Sequence, residues 1–170
     1  MSHASVGYHF KSKQELYEEV LLTYGPRVPR DQIEAAYREE GDPDDPTVAL
    51  RRLRAWITDL LQAVGRPTGI SDGLMMQELC RPDGPSDVLF EARIRPHHDE
   101  LESLIAAYRP DWDARRCRVV ALGIIAQAVY FRVARPVASR LLERDCLATE
   151  CAEEVSAILT ESILDGIKAR

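Results

Sequence analysis

Apolar positions recur at helical spacing from one end of the chain to the other. Leu16, Tyr17, Val20, Leu21 and Tyr24 fall three and four residues apart, which gathers them on one side of a helix. Ser12 and Glu15 just ahead of them have the spacing of a capping box, in which the hydroxyl takes a free backbone N–H and the carboxylate reaches back. Gly25-Pro26 ends this helix, and a short second one is expected over Asp31 to Glu40. The run Gly41-Asp42-Pro43-Asp44-Asp45-Pro46 reads as a linker. Asp45 can cap, and Pro46 suits the first turn of a helix running from about Thr47 to Val64. Val48, Leu50, Leu53, Trp56, Ile57, Leu60 and Leu61 form its apolar face. After a break at Gly65, Pro67 and Gly69, a short helix over Leu74 to Cys80 precedes Pro82-Asp83-Gly84-Pro85. A long helix over Ser86 to Tyr108 follows, with Pro96 inside it, where a missing N–H should produce a kink.

The most apolar stretch is Val119 to Ala134, broken only by Gly123, Gln127 and Arg132. Asp113 can cap its helix near Ala114. The run falls short of the roughly 20 apolar residues that span a bilayer, so it predicts a helix buried inside protein and no membrane partner. Pro136 interrupts it, and Val137, Leu141 and Leu142 carry an apolar face onward. The last helix covers Thr149 to Lys168, with Val155, Ile158, Leu159, Ser162, Ile163 and Ile167 along one side. No segment alternates like a strand, and the predicted fold class is all-α. The last two helices offer more apolar surface than one layer covers, which predicts a homodimer through a four-helix contact. The alternative is that they complete the core of a monomer.

Composition narrows this picture. A chain of 170 residues fits one domain, or one with a small appendage. Hydrophobic residues at 45% and charged residues at 29% are ordinary for a globular protein. A net charge of −6 excludes a protein basic all over, but not DNA contact through one small basic face. Cys80, Cys117, Cys146 and Cys151 include no C-x-x-C pair and lack zinc-ligand spacing. They read as reduced thiols of a cytoplasmic protein, and no signal-peptide pattern opens the chain. His97 and His98 point about 100° apart on a helix, so they do not converge on one ion. No nucleophile–base pair, glycine-rich phosphate loop or carboxylate pair suggests an enzyme, and no cofactor or metal is expected.

The stretch from Ser2 through Tyr17, with Tyr8-His9-Phe10, Lys11-Ser12-Lys13 and then Leu16-Tyr17, resembles the signature of the TetR family of transcription regulators. In that family a recognition helix is followed by an aromatic pair, a Ser/Asn-Lys junction and the connecting helix. Arg95-Pro96, Ile124-Ile125-Ala126-Gln127 and Tyr130 to Pro136 resemble a CerR-like subgroup of these regulators. The resemblance implies a helix-turn-helix remnant over residues 1–12 and a helical effector-binding and dimerisation domain over 13–170. It further implies repression of transcription relieved by a small-molecule effector, through a shift between two dimer geometries.

The resemblance also places residues. His3, Ala4, Ser5, Gly7, Tyr8 and His9 fall on or beside the recognition helix, which would lie in the major groove. Lys13 would meet phosphate at the next helix start. An aromatic patch closing the small domain is the other reading of Tyr8 and His9. Effector-pocket candidates are Trp56, Leu60, Met75, Met76, Phe90, His97, Gln127, Tyr130 and Phe131, which mix size, aromaticity and a polar group on apolar helices. Gln127, a lone amide in the apolar helix, needs a partner: either an effector or a structural hydrogen bond across the dimer. Trp56, Phe90 and the Met pair also fit plain core. Arg132 and Arg135 either pair with acidic residues of a partner chain, the favoured expectation, or bind an anionic effector.

The chain departs from the family pattern at its start. A TetR-type domain has two helices and a turn ahead of the recognition helix, and Met1 stands where a valine of that turn is expected. An internal GTG codon read as a start would account for this. On that expectation operator DNA is a partner of a longer form only, and the present chain binds it weakly or not at all. The competing expectation is a stand-alone helical ligand- or partner-binding module without DNA-binding activity.

Overall fold

Every regular element among the described residues is a helix. The computed structural model describes residues 10–24, 30–39, 41–42, 45–64, 70–83, 86–146 and 148–168, without the side chains of 24, 64, 70–72 and 75. The helices are α1 (Lys13–Tyr24), α2 (Asp31–Arg38), α3 (Pro46–Val64), α4 (Ile70–Leu79) and α5 (Asp87–Leu89). A π-helical turn (Phe90–Ile94) leads into α6 (Arg95–Tyr108), followed by α7 (Ala114–Val133), α8 (Arg135–Leu141) and α9 (Thr149–Lys168). The chain divides into two compact units, one combining residues 1–26 with 68–96 and the other 27–67 with 97–170. The expected boundary between residues 12 and 13 lies inside the first.

In the smaller unit α1 packs on α4 and α5. Its start is capped as the sequence predicts, with one shift. Ser12 Oγ accepts from the Glu15 N–H at 3.0 Å, but the Glu15 carboxylate takes the N–H of Lys11 at 2.5 Å, one residue before the cap. At the end of α4 the Glu78 carboxylate is fully buried. It accepts from Tyr17 Oη at 2.8 Å, Arg81 Nη1 at 3.0 Å and the Ser86 N–H at 2.8 Å. Arg93 Nη2 donates to the Leu22 carbonyl near the other end of α1. The expected kink at Pro96 takes the form of the π turn. The Arg95 N–H donates to the Phe90 carbonyl five residues back, and this widening lets a proline ring follow without striking the preceding turn.

The larger unit is built around α3. Asp45 Oδ1 accepts from the Thr47 N–H at 2.7 Å, so the linker aspartate caps and Pro46 occupies the first turn, where its missing N–H costs nothing. Leu53, Ile57, Leu101, Ile105, Ala121 and Leu164 meet in one fully buried cluster from α3, α6, α7 and α9. Each such leucine or isoleucine contributes about 1.5–3 kcal/mol relative to exposure. No side chain of α2 caps its own helix; Asp59 of α3 does so instead, accepting from the N–H groups of Gln32 at 3.1 Å and Ile33 at 2.9 Å. Arg109 Nη1 donates at 2.5 Å to the Ile167 carbonyl near the end of α9. Asp113 Oδ1 caps α7 through the Arg116 N–H at 2.7 Å. Pro136 ends that run as predicted, and α8 leaves α7 at an angle of 84°. Among the described residues no single helix is long and apolar enough to cross a membrane.

Candidate functional site

Two features of the larger unit bring chemistry-bearing groups together. The first is centred on Trp56, which α3 buries between α2 and α6. Its Nε1 donates to Glu100 Oε2 at 3.0 Å, while Arg30 grips both oxygens of the same carboxylate at 2.8 Å. His97 stands edge-on to the indole at 6.5 Å between ring centroids. The Arg30 hydrogen bonds hold the Glu100 carboxyl below the usual carboxylate range, against the opposing effect of burial. The group is therefore a charged pair beside an indole, with both carboxylate oxygens already taken by Arg30 and Trp56.

The second feature is a cleft lined by Leu61, Phe131, Cys146, Ala152 and Val155, with a volume of about 10 Å³. That is about the space of one water, against roughly 300–1,000 Å³ for a small-molecule site. Beside it Ser139 Oγ accepts from the Cys146 N–H at 3.1 Å and Cys151 is buried in the same cluster.

The nine pocket candidates fall into both units. Trp56, Leu60, His97, Gln127, Tyr130 and Phe131 belong to the larger, and Met75, Met76 and Phe90 to the smaller. Phe131 lines the cleft and meets Tyr130 edge-on at 6.0 Å. Leu60 packs against the main core. Gln127 Nε2 donates at 3.4 Å to the Gly123 carbonyl of its own helix. Met76 is half-buried, Phe90 is half-buried with the Arg95 guanidinium 4.8 Å over its ring, and the side chain of Met75 lies outside those described. Glu100, Arg30 and Cys146 were not among the candidates. Their partners lie 7 to 70 residues away, and no local spacing marks them.

The apolar helix differs from expectation. Only one side of α7 is buried, through Cys117, Ala121, Ile124 and Ala128. On the opposite side Val119, Leu122, Tyr130 and Val133 are 60%, 51%, 51% and 49% exposed. With Ala126 they repeat at three and four residues and form a continuous apolar stripe. The helix is as apolar all round as its sequence says, but a single chain covers half of it. The arginines near its end are also placed differently. Arg132 Nη1 donates to the Ala63 carbonyl at 2.8 Å, and Arg135 pairs with Asp145 of the same chain at 2.6 Å. Both contacts lie within one chain.

Of the residues assigned to DNA contact, Lys13 is exposed in the first turn of α1. His3, Ala4, Ser5, Gly7, Tyr8 and His9 lie outside the described residues. No curated protein and no solved structure matches the chain significantly. A family model does: the HTH-type transcriptional dual regulator CecR, C-terminal domain, over residues 49–168. It takes the place of the CerR-like subgroup. That span takes in α7 with its bare stripe, α9 and most of α3, and the chain therefore belongs to the family of the CecR C-terminal domain.

Proposed function

We propose that this chain is the ligand-sensing and dimerising part of a TetR-type transcription regulator. The observation that carries the reading is the family match over residues 49–168, which belongs to a regulator's C-terminal domain and not to an enzyme. The bare stripe on α7 supports the dimer, because a four-helix contact with a second copy would remove it from water. In this reading the effector enters the larger unit near Phe131 and Trp56. The cleft of about 10 Å³ has to widen to admit it, which ties ligand binding to helix movement. The setting is the cytoplasm, where operator DNA is found.

A thermal-shift screen of apolar, aromatic and cationic small molecules tests the sensing role. A ligand that binds only the folded state raises the melting temperature with concentration. A folded chain that no class of molecule stabilises would count against it.

A second reading is favoured by the start of α1. Ser12 caps that helix and leaves Lys13 exposed in its first turn, where the TetR pattern puts a phosphate contact. In this second reading His3, Ala4, Ser5, Gly7, Tyr8 and His9, together with Lys13, contact operator DNA. Mobility-shift assays test this second reading: retardation of DNA from the gene's own promoter region supports it, and its absence counts against it.

A further inference from the structure

The Glu78 carboxylate occupies a place that electrostatics disfavours twice. It is fully buried, so ionisation costs solvation. It also lies in the last turn of α4, where the helix dipole is negative and repels an anion. An apolar residue would fill this core position at lower cost. The carboxylate nonetheless stays charged, held below the usual range by hydrogen bonds that overcome burial. Three donors supply them, from three separate segments: Tyr17 in α1, Arg81 just past α4, and the Ser86 N–H at the start of α5. Ser86 in turn caps α5, accepting from the Leu89 N–H at 3.4 Å. Arg81 is the solvent side of the group, with its side chain 42% exposed.

Among the described residues, hydrogen bonds that join α1 to the rest of the smaller unit run from Tyr17 to Glu78 and from Arg93 to the Leu22 carbonyl. The first is directional, joining two side chains of fixed length near the middle of α1. It adds a directional constraint to the packing of Leu21, which is buried, and of Leu16, Val20 and Leu22, which are half-buried.

We propose that Glu78 is a positioning residue, a latch that fixes α1 to the α4–α5 segment so that the two move as one body. Its purpose rests on the regulator reading, in which α1 is the connecting helix that follows the DNA-reading segment in sequence. A signal arriving at α4 or α5 would reach α1 through this carboxylate. Charge, not volume, is the working property.

Hydrogen exchange of the present chain tests the latch without DNA. Tyr17→Phe removes one donor and keeps the ring, and Glu78→Gln keeps the shape and removes the charge. Each should raise exchange of the α1 amides about ten-fold or more, as expected when a hydrogen bond to a charged group is lost. The α9 amides should be unchanged. The double variant should exchange no faster than Glu78→Gln alone, because both changes break one interaction. Where Glu78→Gln fails to fold, Tyr17→Phe decides. Unchanged α1 exchange in Tyr17→Phe overturns the latch, as does an equal rise in α1 and α9. Failure of the regulator reading would show differently, as absence of operator binding in any form of the protein.

Discussion

Asp59 acts on a helix to which it does not belong. From inside α3 it receives two N–H groups of the first turn of α2, and its negative charge faces the positive end of that helix. Because the side chain is buried, truncation would leave both donors without water. Asp59→Ala should therefore cost about 2 kcal/mol or more, and Asp59→Asn, which keeps an acceptor, about 1 kcal/mol. Urea titration reads this as a lower midpoint at unchanged slope. Glu100 makes a related prediction in pH. Its folded-state value is lowered by Arg30, so its contribution is complete above the ordinary carboxylate range near pH 4.3 and is lost as pH falls through the lowered value. The stability difference between the native chain and Glu100→Gln should be constant near neutrality and shrink in acid. A difference that grows in acid would contradict the assignment. Neither site was legible in the sequence, since Asp59 meets residues 26 and 27 positions away and Glu100 meets Arg30 across 70. Nothing in the spacing of α3 distinguishes Asp59 from a surface aspartate.

Helix boundaries were legible where their signals are local. Ser12, Asp45 and Asp113 each cap as their positions suggest, and α9 spans the expected Thr149 to Lys168. The start of α4 was not: the helix begins at Ile70, four residues before the expected Leu74, and takes in Gly73, at a cost of about 1 kcal/mol relative to alanine. The end of α8 shows the reverse case, a special backbone geometry without its usual residue. Glu143 adopts a left-handed φ of 56°. Just after it the Arg144 N–H donates to the Ser139 carbonyl at 3.1 Å, and the pattern is a Schellman closure with glutamate in the glycine position. Glu143→Gly should then stabilise the chain by about 1 kcal/mol, measured as a higher melting temperature. Destabilisation would mean that the Glu143 side chain matters more than its backbone. Pro96 offers a second handle at this scale. Pro96→Ala restores an N–H, and the turn from Phe90 to Ile94 should tighten from π to α, visible as new exchange protection at residue 96.

Among the exposed large hydrophobic residues of the chain, Val119, Leu122, Tyr130 and Val133 share one side of α7. Scattered apolar residues are normal on a surface, but a row of this kind marks a contact. The side chains behind it are small, with Gly123 and Ala126 between the larger residues, so a second helix can approach closely. On the proposed dimer reading, the sequence reads as a buried helix while one chain buries only half of it because a second copy would cover the rest. A charge at the middle of the row should then act on association and leave folding intact, since Leu122 already faces water. Leu122→Glu is expected to move the chain from dimer to monomer at micromolar concentration in sedimentation velocity, with circular dichroism unchanged. Leu141→Glu on α8, where the native side chain is 75% exposed and lies off the α7 row, is the matched control and should leave the dimer in place. If the native chain sediments as a monomer, or if the control dissociates it as readily as Leu122→Glu, the α7 row is not the contact surface.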